Sequence, residues 1–85
     1  MRRLDDIPYF LAVAKWGSLS EAAKRLGSFQ PTVGRRIAAL EEEFGLVLFD
    51  RVNSGYALTE AGTLLIERAV AVERAATALG EEARS

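Results

Sequence analysis

The apolar positions fall into helical stripes broken by glycines. Ile7, Phe10, Leu11 and Ala14 recur at i, i+3, i+4, i+7 and predict a first helix over Leu4–Trp16, with Asp5 and Asp6 near its positive end and Pro8 within its first turn. Gly17 closes it. Ser18-Leu19-Ser20-Glu21 has the form of a capping box, and a short second helix runs to Leu26 with Leu19, Ala22, Ala23 and Leu26 inward. After the turn Gly27-Ser28-Phe29, a third helix spans Gln30–Phe44. It carries Pro31 near its start, a core stripe of Val33, Ile37, Leu40 and Phe44, and Gly45 as its stop. Leu46–Arg51 leans toward a strand, Asn53-Ser54-Gly55 is turn chemistry, and Tyr56–Leu58 returns as a second strand. Thr59 is positioned to cap a last helix over 59–79, ended by Gly80, with residues 81–85 frayed.

Ala23, Gly27 and Val33 have the spacing of a helix-turn-helix. The small alanine lets helices cross closely, the glycine makes the turn, and the valine anchors the second helix on the first. The hairpin that follows makes the winged version the expected one. The fold class is therefore mainly α: a three-helix core, a two-stranded wing and a long C-terminal helix. Residues 1–58 form the first unit and 59–85 a second, the C-terminal helix.

An 85-residue chain has room for one small core. The longest apolar run, Ile7–Ala14 with Pro8 inside it, is far short of the roughly 20 residues that cross a bilayer. No signal peptide is apparent, and a cytoplasmic protein is expected. Cysteine and histidine are both missing, which removes disulfides, thiolate nucleophiles, the usual general base and the usual metal ligands. No catalytic residue, metal or cofactor is expected. Glu41-Glu42-Glu43 point in different directions on a helix, so they cannot converge on a metal and read as a solvated face.

The net charge of −1 hides an asymmetry. Residues 1–40 hold seven bases against three acids, a net of +4, and residues 41–85 hold four against nine, a net of −5. Two surfaces with two tasks would divide charge this way, and so would scatter over solvated faces. With Val33, Ile37 and Leu40 inward, a step of about 100° per residue turns Pro31 and Arg35 straight out. Thr32 and Gly34 lie on opposite shoulders, and Arg36 lies near the core edge, where it can snorkel to a phosphate. Small residues with Gln30 and Arg35 suit a major groove, although an ordinary amphipathic helix has a solvated outer face too.

Several segments in register together resemble the N-terminal region of LysR-type transcriptional regulators. They are Tyr9-Phe10, Gly17-Ser18-Leu19-Ser20-Glu21-Ala22-Ala23, Gln30-Pro31-Thr32-Val33, Leu40-Glu41, Leu48-Phe49-Asp50-Arg51 and Leu58-Thr59-Glu60-Ala61-Gly62, within a likeness covering roughly residues 4–80. The resemblance implies a winged helix-turn-helix, sequence-specific promoter binding and a linker helix that pairs two protomers. It also makes the Leu40-Glu41 step structural. Such regulators typically continue into an effector-binding domain, so the expectation is an excised DNA-binding part, with a stand-alone remnant as the alternative, and no inducer site in either case. Two positions depart from the pattern. Phe29 stands where serine commonly caps the third helix, leaving Ser28 to cap, a weaker cap, or a ring packed as a staple. Gly34 replaces another frequent serine.

On this reading Gln30, Thr32 and Arg35 contact base edges, Pro31 and Gly34 permit close approach, and Ser20, Lys24 and Arg36 meet phosphates. Arg51, Asn53 and Ser54 place the wing on the backbone or minor groove. Arg51 has a second reading as a lock between hairpin and helices, and Asn53 and Ser54 as turn formers only. Leu64, Leu65, Val72, Ala76 and Leu79 form the dimerisation flank, unless the tail folds back on its own domain. The expected partners are double-stranded DNA and a second copy. The rival is an adaptor that uses the same fold to hold protein.

Overall fold

The computed structural model describes residues 2–53 and 55–84, with side chains from Asp5 onward. The element order is α1 (Arg2–Trp16), α2 (Leu19–Leu26), α3 (Gln30–Phe44), β1 (Phe49–Val52), β2 (Gly55–Leu58) and α4 (Glu60–Arg84). Three helices enclose the core, the antiparallel β1–β2 hairpin forms the wing, and α4 packs across α1. This is a winged helix-turn-helix. Among the described residues no helix is long and apolar enough to cross a membrane.

Phe10, Val13, Val33 and Leu48 are the largest fully buried side chains, joined by Ala22, Ala23, Ile37, Leu40, Phe49 and Ala69. Ala22 and Ala23 are buried where α2 crosses its neighbours, so a larger side chain at either would overpack the crossing, at about 1–3 kcal/mol. Phe10, Phe49 and Tyr56 form an edge-to-face ladder, with centroids 5.6 and 6.0 Å apart, that carries α1's packing into the wing. Val13, outside the expected stripe, is fully buried, whereas Phe44, expected in the core, is 41% exposed at the rim of α3.

The helix ends follow the local chemistry. Ser18 Oγ accepts the Glu21 N–H at 3.0 Å, and Gly27 and Gly45 end α2 and α3 with φ of 65°. Glu21 turns to Arg25 at 3.3 Å and Lys24 at 3.8 Å. Pro8 is the seventh residue of α1 because the helix begins at Arg2, earlier than expected. It therefore sits in the second turn, where it removes one intrahelical bond.

The first strand starts at Phe49 instead of Leu46, because Glu41 and Thr59 take the preceding backbone. Glu41 Oε2 accepts the N–H of Leu48 at 2.8 Å and of Phe49 at 3.3 Å, while Leu48 O accepts the Thr59 N–H at 3.0 Å. Glu41 is thus a loop clamp and not a solvated acid, in line with the structural Leu40-Glu41 step that the resemblance implies. Thr59 caps α4 by accepting the Gly62 N–H at 3.0 Å and donates to Val47 O at 2.6 Å. α4 runs on through Gly80 to Arg84 and does not stop at 79.

Candidate nucleic-acid interface

The wing is hooked to the turn between α1 and α2. The Tyr56 N–H donates to Gly17 O at 2.8 Å, and a Cβ at Gly55 would lie 2.7 Å from that same oxygen. Only glycine lets β2 approach so closely. β1 and β2 pair from Phe49↔Leu58 to Val52↔Gly55, and Asn53 in the hairpin turn adopts φ of 51°, a left-handed conformation that asparagine tolerates better than most. The wing is therefore held at a fixed angle beside the N-terminal half of α3.

Between them lies a groove of about 550 Å³, lined among others by Gln30, Pro31, Gly34, Arg35, Arg51 and Tyr56. A second cleft of about 250 Å³ is lined by Ser18, Ser20, Gln30, Arg51, Asn53 and Gly55 among others. Ser20, Gln30, Pro31, Gly34, Arg35, Arg51 and Asn53, widely spaced in the chain, thus converge on one concave face. Pro31 and Arg35 are exposed, as the helical geometry predicts, and Thr32 is half-buried. Gly34 faces α2, where a Cβ would meet a methyl of Leu19 at 3.4 Å. Lys24 lies on the exposed side of α2, its side chain 77% accessible, loosely paired with Glu21. Ser54 lies outside the described residues.

Arg36 turns toward α1. Its guanidinium donates to Asp6 Oδ1 at 2.8 Å and lies 5.0 Å from the Tyr9 ring, fastening α3 to α1. The hydrogen bond to Asp6 holds this guanidinium above its usual pKa, so it stays charged. Arg36 therefore ties α3 to α1 while its side chain stays 43% exposed, which is compatible with the expected phosphate contact. Arg51 lies 5.3 Å from the centroid of Tyr56, its cross-strand partner, and remains exposed, so this contact braces the two strands of the hairpin and leaves an outward cation.

Sequence reasoning missed a cationic cluster around Trp16. Arg25 lies 4.1 Å and Lys15 5.1 Å from the centroid of Trp16, at the end of α1. Arg25 and Trp16 meet only through the helix crossing, so no local spacing announces them. The Phe29 alternatives are also decided. Phe29 is the N-cap residue of α3, makes no side-chain capping bond, and is 78% exposed, so neither a staple nor a Ser28 cap is present. The described residues contain no group of acids that could hold a metal.

On α4, Leu64, Val72, Ala76 and Leu79 are exposed, with Leu64 and Leu79 at 67% and 68%. Leu65 is half-buried and packs on its own core. Leu64 and Leu65 differ by the helical step of about 100°, which puts one toward solvent and the other toward the domain.

Residues 4–63 match the family described as bacterial regulatory helix-turn-helix protein, lysR family. The HTH-type transcriptional regulator ClcR of Pseudomonas putida is 49% identical over 64 residues, 75% of this chain and 22% of that regulator. TcbR of Pseudomonas sp. strain P51 is 39% identical over 80 residues, 94% of this chain and 27% of its own. The chain therefore spans about a quarter of the length of these two relatives. Among solved structures, the CbnR DNA-binding domain in complex with DNA superposes with a TM-score of 0.90 at 38% identity, over 95% of this chain and 93% of that one. The BenM DNA-binding domain with benA site 1 DNA gives 0.90 at 28% identity, over 95% and 91%.

Proposed function

Because the chain belongs to the LysR family of bacterial helix-turn-helix regulators, we propose that it binds double-stranded DNA sequence-specifically, as the DNA-binding domain of a transcription regulator. The observation that carries this reading is the convergence of Gln30, Pro31 and Arg35 with the wing residues Arg51 and Asn53 on one concave face. The N-terminal half of α3 enters the major groove. Gln30 pairs with an adenine edge, Arg35 forks onto guanine, Pro31 and Gly34 allow the backbone close, and Thr32 supports the contact from its half-buried shoulder. Ser20 and Lys24 meet phosphates, and Arg51, Asn53 and Ser54 set the wing on the backbone or minor groove. Arg36 positions α3 through Asp6.

Residues 1–58 carry this reading unit, and 59–85 join two protomers through Leu64, Val72, Ala76 and Leu79. The protein works in the cytoplasm, where its DNA is. Its relatives are regulators and not enzymes, and we assign it no catalytic role. An effector would act only through a C-terminal domain outside these 85 residues.

Salt titration of duplex binding is the test. Log affinity should fall linearly with log salt, by about 0.9 for each phosphate contact. Arg35→Ala should cost about 1–3 kcal/mol and relax preference at one base pair. A uniform loss across sequences would reassign Arg35 to phosphate. A folded dimer with no duplex affinity at low salt would favour the protein-holding adaptor.

A further inference from the structure

We infer that Phe29 is a specificity-determining DNA contact whose ring meets the C5-methyl group of a thymine beside the bases faced by Gln30 and Arg35. The inference rests on the DNA-binding function proposed above. At 78% exposed, Phe29 is the most accessible large apolar side chain among the described residues. It occupies the N-cap of α3 with extended backbone (φ −108°, ψ 145°) and makes no capping bond. Neither packing nor capping accounts for it.

Its location does. Gln30 and Pro31, the next two residues, are exposed at the tip of α3 and line the groove between that helix and the wing. A side chain at this tip travels into the major groove with its neighbours. A phenyl ring cannot donate to a phosphate or to a base edge. The apolar group the major groove offers is the thymine methyl, for which phenylalanine is a suitable partner. The other strongly exposed apolar residues, Val47, Leu64 and Leu79, lie on the loop before the wing or on α4, away from that tip. The LysR-type pattern commonly has serine at this place, so the methyl contact separates this chain's preferred sites from those of its relatives.

The test begins with duplexes selected from a random pool by the full 85-residue chain. Each thymine in a selected site is then replaced in turn by deoxyuridine, which deletes the methyl and keeps the pairing. The unaltered protein should lose about three- to tenfold in affinity at one position of each half-site. Phe29→Ala and Phe29→Ser should lose less than about twofold there. Serine can also cap α3, so at least that variant is expected to fold, and thermal melts of both check it. Identical deoxyuridine profiles in all three proteins, or no sensitive position in the unaltered one, would overturn the inference and leave DNA binding standing. Enrichment of no sequence at all would sink DNA binding, and the thymine contact with it.

Discussion

Arg35 and Arg36 are adjacent in the chain and have opposite fates. One helical step turns Arg35 into the groove beside the wing and Arg36 onto Asp6 and Tyr9 of α1. The outward direction of Arg35 was legible because it follows from the Val33–Ile37–Leu40 stripe alone. The Arg36 strut was not, because Asp6 lies 30 residues away and only the packing of α3 on α1 brings it close. Glu41 was legible in part. Its acidic neighbours suggest a solvated face and the family resemblance a structural Leu40-Glu41 step, and its carboxylate takes two backbone N–H groups of the loop that folds back beneath it, partners that no local pattern specifies. Arg36 also bears on pH. Its pKa is raised in the folded state, so on the arginine's side the stability is complete below the ordinary arginine value and falls away as pH rises into strong alkali. The chain has no histidine or cysteine, the side chains that ordinarily titrate near neutrality. Unfolding free energy from denaturant titrations at pH 6, 7 and 8 and fixed ionic strength should therefore agree to within about 0.5 kcal/mol.

Between elements, close backbone approach decides which glycines matter. At Gly62, in the first turn of α4, a Cβ would fall 2.2 Å from Leu48 O and 2.9 Å from a Leu58 methyl. Backbone cannot give way as a side-chain tip can, so Gly62→Ala should destabilise by about 3 kcal/mol, the upper end of ordinary overpacking. Gly80 is the contrast, because a Cβ there meets nothing nearer than the Arg84 guanidinium at 4.0 Å. Gly80→Ala should add about 0.5–1 kcal/mol by removing backbone freedom from the unfolded chain. Thermal melts of both variants would show shifts of opposite sign. Gly80 also explains why the end of α4 was misjudged. Its cost of about 1 kcal/mol is spread over a helix of strong formers (Ala78, Leu79, Glu81, Glu82, Ala83), and propensity of that size does not end a helix. The helix-turn-helix was readable from Ala23, Gly27 and Val33 because a tight crossing and a left-handed turn restrict residue type. The start of the wing was not readable, since Leu46–Leu48 have strand-like side chains and lose their strand pairing only through Glu41 and Thr59.

The molecule as a whole is elongated, 46 × 26 × 19 Å, because α4 outruns the domain it starts on. Its 25 residues extend about 37 Å, and residues 71–79 are all exposed. Residues 1–40, which hold α1, α2 and most of α3, carry a net +4 and residues 41–85 a net −5, a division that suits the proposed roles of α3 on DNA and of α4 in pairing. Leu79→Glu sits beyond the core, so the fold should survive while the dimer weakens, seen as a shift to monomer in sedimentation equilibrium. Duplex affinity should fall by about 10²-fold or more as the two half-sites lose their linkage. The central claim is that two copies each seat the tip of α3 in a major groove. Hydroxyl-radical and methylation footprinting of the dimer on a selected duplex tests it most directly. Two protected patches on one face of the duplex, one helical turn or a whole multiple apart, with guanine N7 shielded in each, would meet the prediction. Unprotected guanines beneath a folded, duplex-bound dimer would contradict it.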